Sequence, residues 1–150
     1  MGNMGNIGNM SGEHGIQENG KTEKIIKSFL SLDVYQNTYK AARIVLFQII
    51  PKLPKAEAFD LADQMRRAAK AIPTLIAEGY AKKYQQRGYV RYLTESSAEA
   101  NEMIVHLSFA REYIKNEYKL IDELIDIYNL ARKQLYKLRR NWDGLNKTNS

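Results

Sequence analysis

The chain has 150 residues, 44% hydrophobic and 27% charged, and carries a formal net charge of +6. That is the size and balance of one globular domain, which excludes collagen-like and wholly disordered chains. The longest apolar run, Ile44 to Phe47, stops at Gln48, far short of the ~20 residues a bilayer span requires, and the lack of cysteine removes disulfides, thiolate metal sites and cysteine nucleophiles.

Residues 1–20 read as a disordered tail. Six of the nine glycines fall there, within the repeat Gly2-Asn3-Met4, Gly5-Asn6-Ile7, Gly8-Asn9-Met10. Such a segment buries too little apolar surface to offset its conformational entropy. It shows neither a basic start nor an apolar signal core, so a cytoplasmic protein is expected.

From residue 21 the pattern is helical. Leu32, Tyr35, Tyr39, Ala42, Leu46, Ile49 and Leu53 step by three and four, and Pro51 and Pro54 close that seam. A second helix opens near Asp60, a candidate cap, and carries Leu61, Met65, Ala68, Ile72, Leu75 and Gly79. Its periodicity runs straight through Pro73, which lacks an N–H and leaves the carbonyl of Ala69 without its usual donor, so a kink is expected there. The third seam is Tyr89, Leu93, Ser96, Ala100, Met103, Leu107, Ala110 and Ile114. The fourth follows Asn116, as N-cap, with Leu120, Leu124, Ile127, Ala131, Leu135 and Leu138. No stretch alternates long enough for a strand. Short connections favour antiparallel neighbours, so the expected fold is all-α: an antiparallel up-down-up-down four-helix bundle over residues 21–145, with disordered ends at 1–20 and 146–150.

Catalytic chemistry finds few candidates. A di-iron bundle needs inward Glu from every helix and two Glu-x-x-His pairs, whereas only His14 and His106 exist. Glu102 and His106 lie four apart on one helix face, a spacing more typical of a surface hydrogen bond. Ser96 and Ser97 lack nucleophile-elbow glycines, and no phosphate-cradling Gly-rich loop occurs. No enzyme activity, metal or cofactor is expected.

Charge is more informative. Lys21, Lys24 and Lys27, then Lys82, Lys83, Arg87 and Arg91, then Arg132, Lys133, Lys137, Arg139 and Arg140 form three basic segments containing the single acid Glu23. In the expected topology all three meet at one pole. Tyr80, Tyr84, Tyr89 and Tyr92 are interleaved with the second and could stack on unpaired bases. Dipole complementarity accounts for bases late in helix four but not for Arg87 and Arg91 at a helix start. RNA or DNA is the expected anion. Val34, Val45, Phe47, Val90, Ile104 and Phe109 lie off the main seams, which suggests a homo-oligomer.

The segment from Asp63 to Gly79 resembles the signature of the 23S rRNA intervening-sequence proteins, a bacterial four-helix-bundle family. The likeness is carried by Gln64, Arg66, Arg67, Ala68, Ala69, Ile72, Pro73, Ile76, Ala77, Glu78 and Gly79. Leu32 to Gln36 resembles the family's helix-one opening, and Tyr92-Leu93 with Glu102 to Leu107 its third helix, so the likeness spans roughly residues 29–140. Ala71 and Leu75 stand where the family usually has Ser and Asn, and Ala98-Glu99 where it has Gly-Ser. The resemblance implies a structural role for Gln64, Arg66, Arg67, Pro73, Glu78, Gly79 and Glu102, with partly buried carboxylates paired to cations. The family is similar in turn to the accessory variability proteins of diversity-generating retroelements, five-fold rings that associate with a reverse transcriptase and bind nucleic acid. A non-catalytic, homo-oligomeric nucleic-acid-binding accessory protein, most simply a pentamer, is therefore expected. A protein–protein adaptor for a reverse transcriptase is the rival, and a metal-dependent bundle enzyme the remote alternative.

Overall fold

The computed structural model describes residues 28–142. The tail and Lys21, Lys24 and Lys27 lie outside the described residues, as do positions 143–150. Four helices follow in order: α1 (Asp33–Ile44), α2 (Leu61–Ala81), α3 (Gln86–Tyr113) and α4 (Tyr118–Arg140). Each packs on its chain neighbour and α4 closes back on α1, so the antiparallel four-helix bundle read from the sequence is the fold. Among the described residues there is no strand, and no helix is long and apolar enough to cross a membrane.

The third seam lies in the core along its whole length, from Tyr89 to Ile114. The other three are shifted. In helix one the buried line is Val34, Thr38, Ala41, Val45 and Ile49, while Tyr35, Leu46 and Leu53 pack against the core only partly buried. The cause is local. Pro51 lacks an N–H, and its ring would clash with the carbonyl four residues back in α geometry. The helix widens instead into a π turn over Val45–Ile49, in which the Ile50 N–H reaches the Val45 carbonyl. The extra residue in that turn changes which side chains face inward. Val34 and Val45 are thus core residues, not part of an outer apolar face.

Helix two runs through Pro73 and buries Ile76, leaving Leu75 half-buried. Asp60 precedes it without making a capping bond to the backbone; its Oδ1 instead accepts from Gln64 Nε2 at 2.8 Å. Helix four opens at Tyr118, after a single 3-10 turn at Lys115–Glu117 that includes Asn116. It buries Ile121, Leu124, Tyr128, Ala131 and Leu135. Leu120, Ile127 and Leu138 are half-buried at its edges.

The closest helix approach is between α2 and α3. A Cβ placed on Gly79 would stand 3.1 Å from Leu93 Cδ2 and 3.2 Å from Tyr92 Cβ. One step further along the interface, buried Ser96 donates to the Ile72 carbonyl at 3.0 Å, immediately before Pro73. Small residues at Ala68, Ala69 and Ala100 keep the same interface tight.

Tyr128 is the largest fully buried side chain, and its hydroxyl has no hydrogen-bond partner among the described residues. Burial pushes the phenol's pKa up, so it stays protonated. A buried hydroxyl without a partner costs about 1–3 kcal/mol of desolvation. Tyr128→Phe should therefore raise stability by about 1 kcal/mol, read as a higher urea midpoint at unchanged slope. A lower midpoint would show that the hydroxyl is satisfied.

Candidate nucleic-acid interface

Two of the three basic segments meet at one end of the bundle. The four-residue turn joining α2 to α3 is closed by backbone bonds from Lys83 N–H to the Tyr80 carbonyl and from Gln85 N–H to that of Lys82. Three further contacts tie it and the start of α3 to the last turns of α4. Trp142 Nε1 donates to the Lys83 carbonyl at 2.9 Å, the Tyr89 hydroxyl donates to the Leu138 carbonyl at 3.2 Å, and Arg139 donates to Thr94 Oγ1 at 2.9 Å. Lys82, Lys83, Arg87 and Arg91 thereby share a pole with Arg132, Lys133, Lys137, Arg139 and Arg140.

The nine cations are not equivalent. Lys82, Arg87, Lys133, Lys137 and Arg140 are exposed. Lys83 donates to the Tyr80 hydroxyl at 3.2 Å and sits over the Tyr80 and Tyr84 rings, which raises its pKa above the ordinary value. Arg91 is paired with Glu95 at 3.0 Å, one turn along α3. Arg132 donates to Asn129 Oδ1 at 3.1 Å. Arg139 is half-buried, and its Nε lacks a partner. The pole is thus less purely basic than the segments alone imply. Glu95 enters it at the turn after Arg91, and Asp33 lines the same groove as Lys137. The i,i+4 spacing of Arg91 and Glu95 was the sequence signal for the first of these.

The aromatic residues divide differently from the sequence expectation. Tyr89 is a core side chain, 2% exposed, with its phenol pKa pushed up to about 12 by burial, and so cannot stack on a base. Tyr92 is half-buried beside Gly79, and the Tyr80 ring is covered by Lys83. Tyr84 is available, and Tyr136 on α4 joins it; sequence reasoning missed Tyr136. The guanidinium groups of Arg139 and Arg140 stand 5.8 and 5.7 Å from the Tyr136 ring.

The signature residues of α2 do not form the expected buried ion pairs. Glu78 and Glu102 are exposed and take part in no ion pair among the described residues. Arg67 reaches Asp63 at 3.6 Å, a largely solvated contact worth little. Arg66 is half-buried, Gln64 bonds Asp60, and Pro73 and Gly79 are packing positions. His106 lies on the α3 face that looks toward Arg67, with Glu102 and Asp60 in its field. No group of three or more potential ligands suited to a metal ion occurs among the described residues.

The family model described as 23S rRNA-intervening sequence protein matches residues 30–137. No curated protein and no solved structure matches the chain.

Burial lowers the pKa of His106 below its usual 6.5; Glu102 opposes this and Arg67 reinforces it. The unfolded chain therefore binds the proton first. Stability from this group is fully present above pH 6.5 and is lost as pH falls through the lower folded value. An NMR titration of the ring should show a midpoint below 6.5, moving lower still in Glu102→Gln. A midpoint at or above 6.5 would contradict this placement of the ring.

Proposed function

The chain belongs to the 23S rRNA-intervening sequence protein family, and on that premise we propose that it is a non-catalytic, homo-oligomeric accessory protein that binds RNA or DNA through its basic pole, in the cytoplasm. The observation that carries this is the convergence of two basic segments, far apart in the chain, held by Trp142, Tyr89 and Arg139. Helix dipoles alone do not account for it. Arg87 stands in the first turn of α3, where positive charge is unfavourable, and no acid is paired with it among the described residues. Exposed cations beside two available tyrosine rings suit a flexible strand: the cations meet phosphates, and Tyr84 and Tyr136 offer stacking faces.

Changing Lys82, Lys83, Arg87 and Arg91 together to Glu should abolish retention of RNA or DNA in a gel-shift assay at moderate salt. Helicity should not change, because none of the four is in the core. Parent affinity should be indifferent to sequence to first order and fall steeply with salt, as each neutralised phosphate releases counterions. If the quadruple variant binds as tightly as the parent, the pole is ordinary solvated surface and the protein–protein adaptor reading, with a reverse transcriptase as partner, replaces this one.

Self-association is supported by α3, which has two apolar faces. Opposite its core seam, Val105, Phe109 and Tyr113 recur every fourth residue at 53%, 58% and 47% exposure. Phe47 is also exposed, while Val90 and Ile104 pack half-buried against the core. The pentamer follows from the likeness to accessory variability proteins. Light scattering at micromolar concentration should give a multiple of the chain mass, and the double variant Val105→Asp, Phe109→Asp should reduce it to the monomer. A monomeric parent would overturn the oligomer.

A further inference from the structure

Between the start of α1 and the last two turns of α4 lies a groove of about 220 Å³. Leu32, Val34 and Leu138 give it an apolar lining, and Asp33, Gln134 and Lys137 give it polar atoms. It is unlike the rest of the pole. A phosphate would be repelled by the Asp33 carboxylate, while a cationic peptide side chain would have to approach through Lys137, Lys133 and Arg140. What suits it is a neutral planar ring that is apolar on its faces and donates hydrogen bonds from its edge. Gln134 adds a second observation. Its Oε1 is buried and has no hydrogen-bond partner, so the amide is not locked by the protein and can turn to serve a guest.

We propose that this groove receives one unpaired nucleobase of the strand whose phosphates lie on the basic pole, and that the preferred base is guanine; this rests on the nucleic-acid reading above. The volume is below the roughly 300–1,000 Å³ of pockets that enclose a whole drug-sized ligand, so a ring enters while sugar and phosphate stay outside. Leu32 and Leu138 contact the ring, and Lys137 at the rim meets the adjoining phosphate. A carboxylate only accepts hydrogen bonds. Guanine alone among the bases presents two adjacent donors, N1–H and the 2-amino group, on its Watson–Crick edge, which matches the two oxygens of Asp33. Adenine and cytosine offer an amino group beside an acceptor, and uracil offers a single ring N–H between two carbonyls. The Gln134 amide, once turned, donates to guanine O6.

The test uses the full chain and fluorescence anisotropy with three labelled RNAs: a short oligouridine, the same strand with one central guanosine, and the same strand with inosine, which lacks the 2-amino group. The guanosine strand should bind about tenfold more tightly than oligouridine, the scale of one bidentate base contact, and inosine should lose most of that gain. Asp33→Asn should bring the guanosine strand level with oligouridine. Asp33 is exposed, so the variant is expected to fold, and circular dichroism verifies it. Gln134→Leu provides a second variant and should reduce the same preference. If the parent binds all three strands equally, or Asp33→Asn retains the preference, the groove assignment is wrong and the phosphate-binding pole stands. If no strand binds even at low salt, the pole itself is wrong and the groove falls with it.

Discussion

The close approach of α2 to α3 is the constraint on which the rest of the molecule depends. Gly79 leaves no room for a Cβ against Leu93 and Tyr92, and Ser96 must find an acceptor because it is fully buried. It finds the Ile72 carbonyl, one residue before Pro73. An α-helix that carries an interior proline loses a backbone bond, and tolerates that loss only when tertiary packing holds it in place. Here Ala68, Ala69, Ile72 and Ile76 are buried on the helix that carries the proline, so burial compensates for the loss. Because the two helices stay in contact to the end of α2, their connection is only four residues long and is held at the bundle's end.

That rigid turn is what lets α4 assemble the basic pole. Lys83 and Trp142 are joined through a backbone carbonyl, as are Tyr89 and Leu138, so neither tie depends on salt in the way a surface ion pair would. The arrangement draws on some of the cations to build itself. Arg139 is engaged with Thr94 and Arg91 with Glu95, while Lys83 rests on two tyrosine rings. Lys82, Arg87, Lys133, Lys137 and Arg140 are left to face outward. A surface of this kind concentrates positive potential on a preformed scaffold and needs little reorganisation when a polyanion arrives.

The opposite end differs in character. Lys52 pairs with Glu117, Arg111 with Asp122 at 3.0 Å, and the Tyr113 hydroxyl donates to Glu57 at 2.8 Å. The outer stripe of α3 runs toward this end, and Phe59 beside Glu57 is 98% exposed. Apolar surface of this extent on a helix that already has a full core seam is the usual mark of a contact with another chain. The bundle thus keeps its polyanion-facing pole apart from its apolar outer face, so that one chain can serve both without competition.

Sequence periodicity determined the helix count, the order of the helices and the whole of the α3 seam, because α3 is one uninterrupted α-helix whose apolar residues leave a single phase. It also determined that basic segments would converge, since short connections permit few topologies. Periodicity did not determine the seams of α1 and α4. In α1 the π turn before Pro51 inserts a residue and changes the phase, which depends on how the chain escapes the proline clash. In α4, neighbouring apolar pairs such as Leu120 with Ile121 and Ile127 with Tyr128 support two phases of equal quality. The neighbouring helices buried Ile121 and Tyr128. Tertiary structure alone decided that Tyr89 belongs to the core while Tyr136 faces the pole, and that Glu78 and Glu102 are solvated. The physical reason is the same in each case: a residue type states what a side chain can do, and only the packing of other helices against it settles whether water, protein or a ligand is there to meet it.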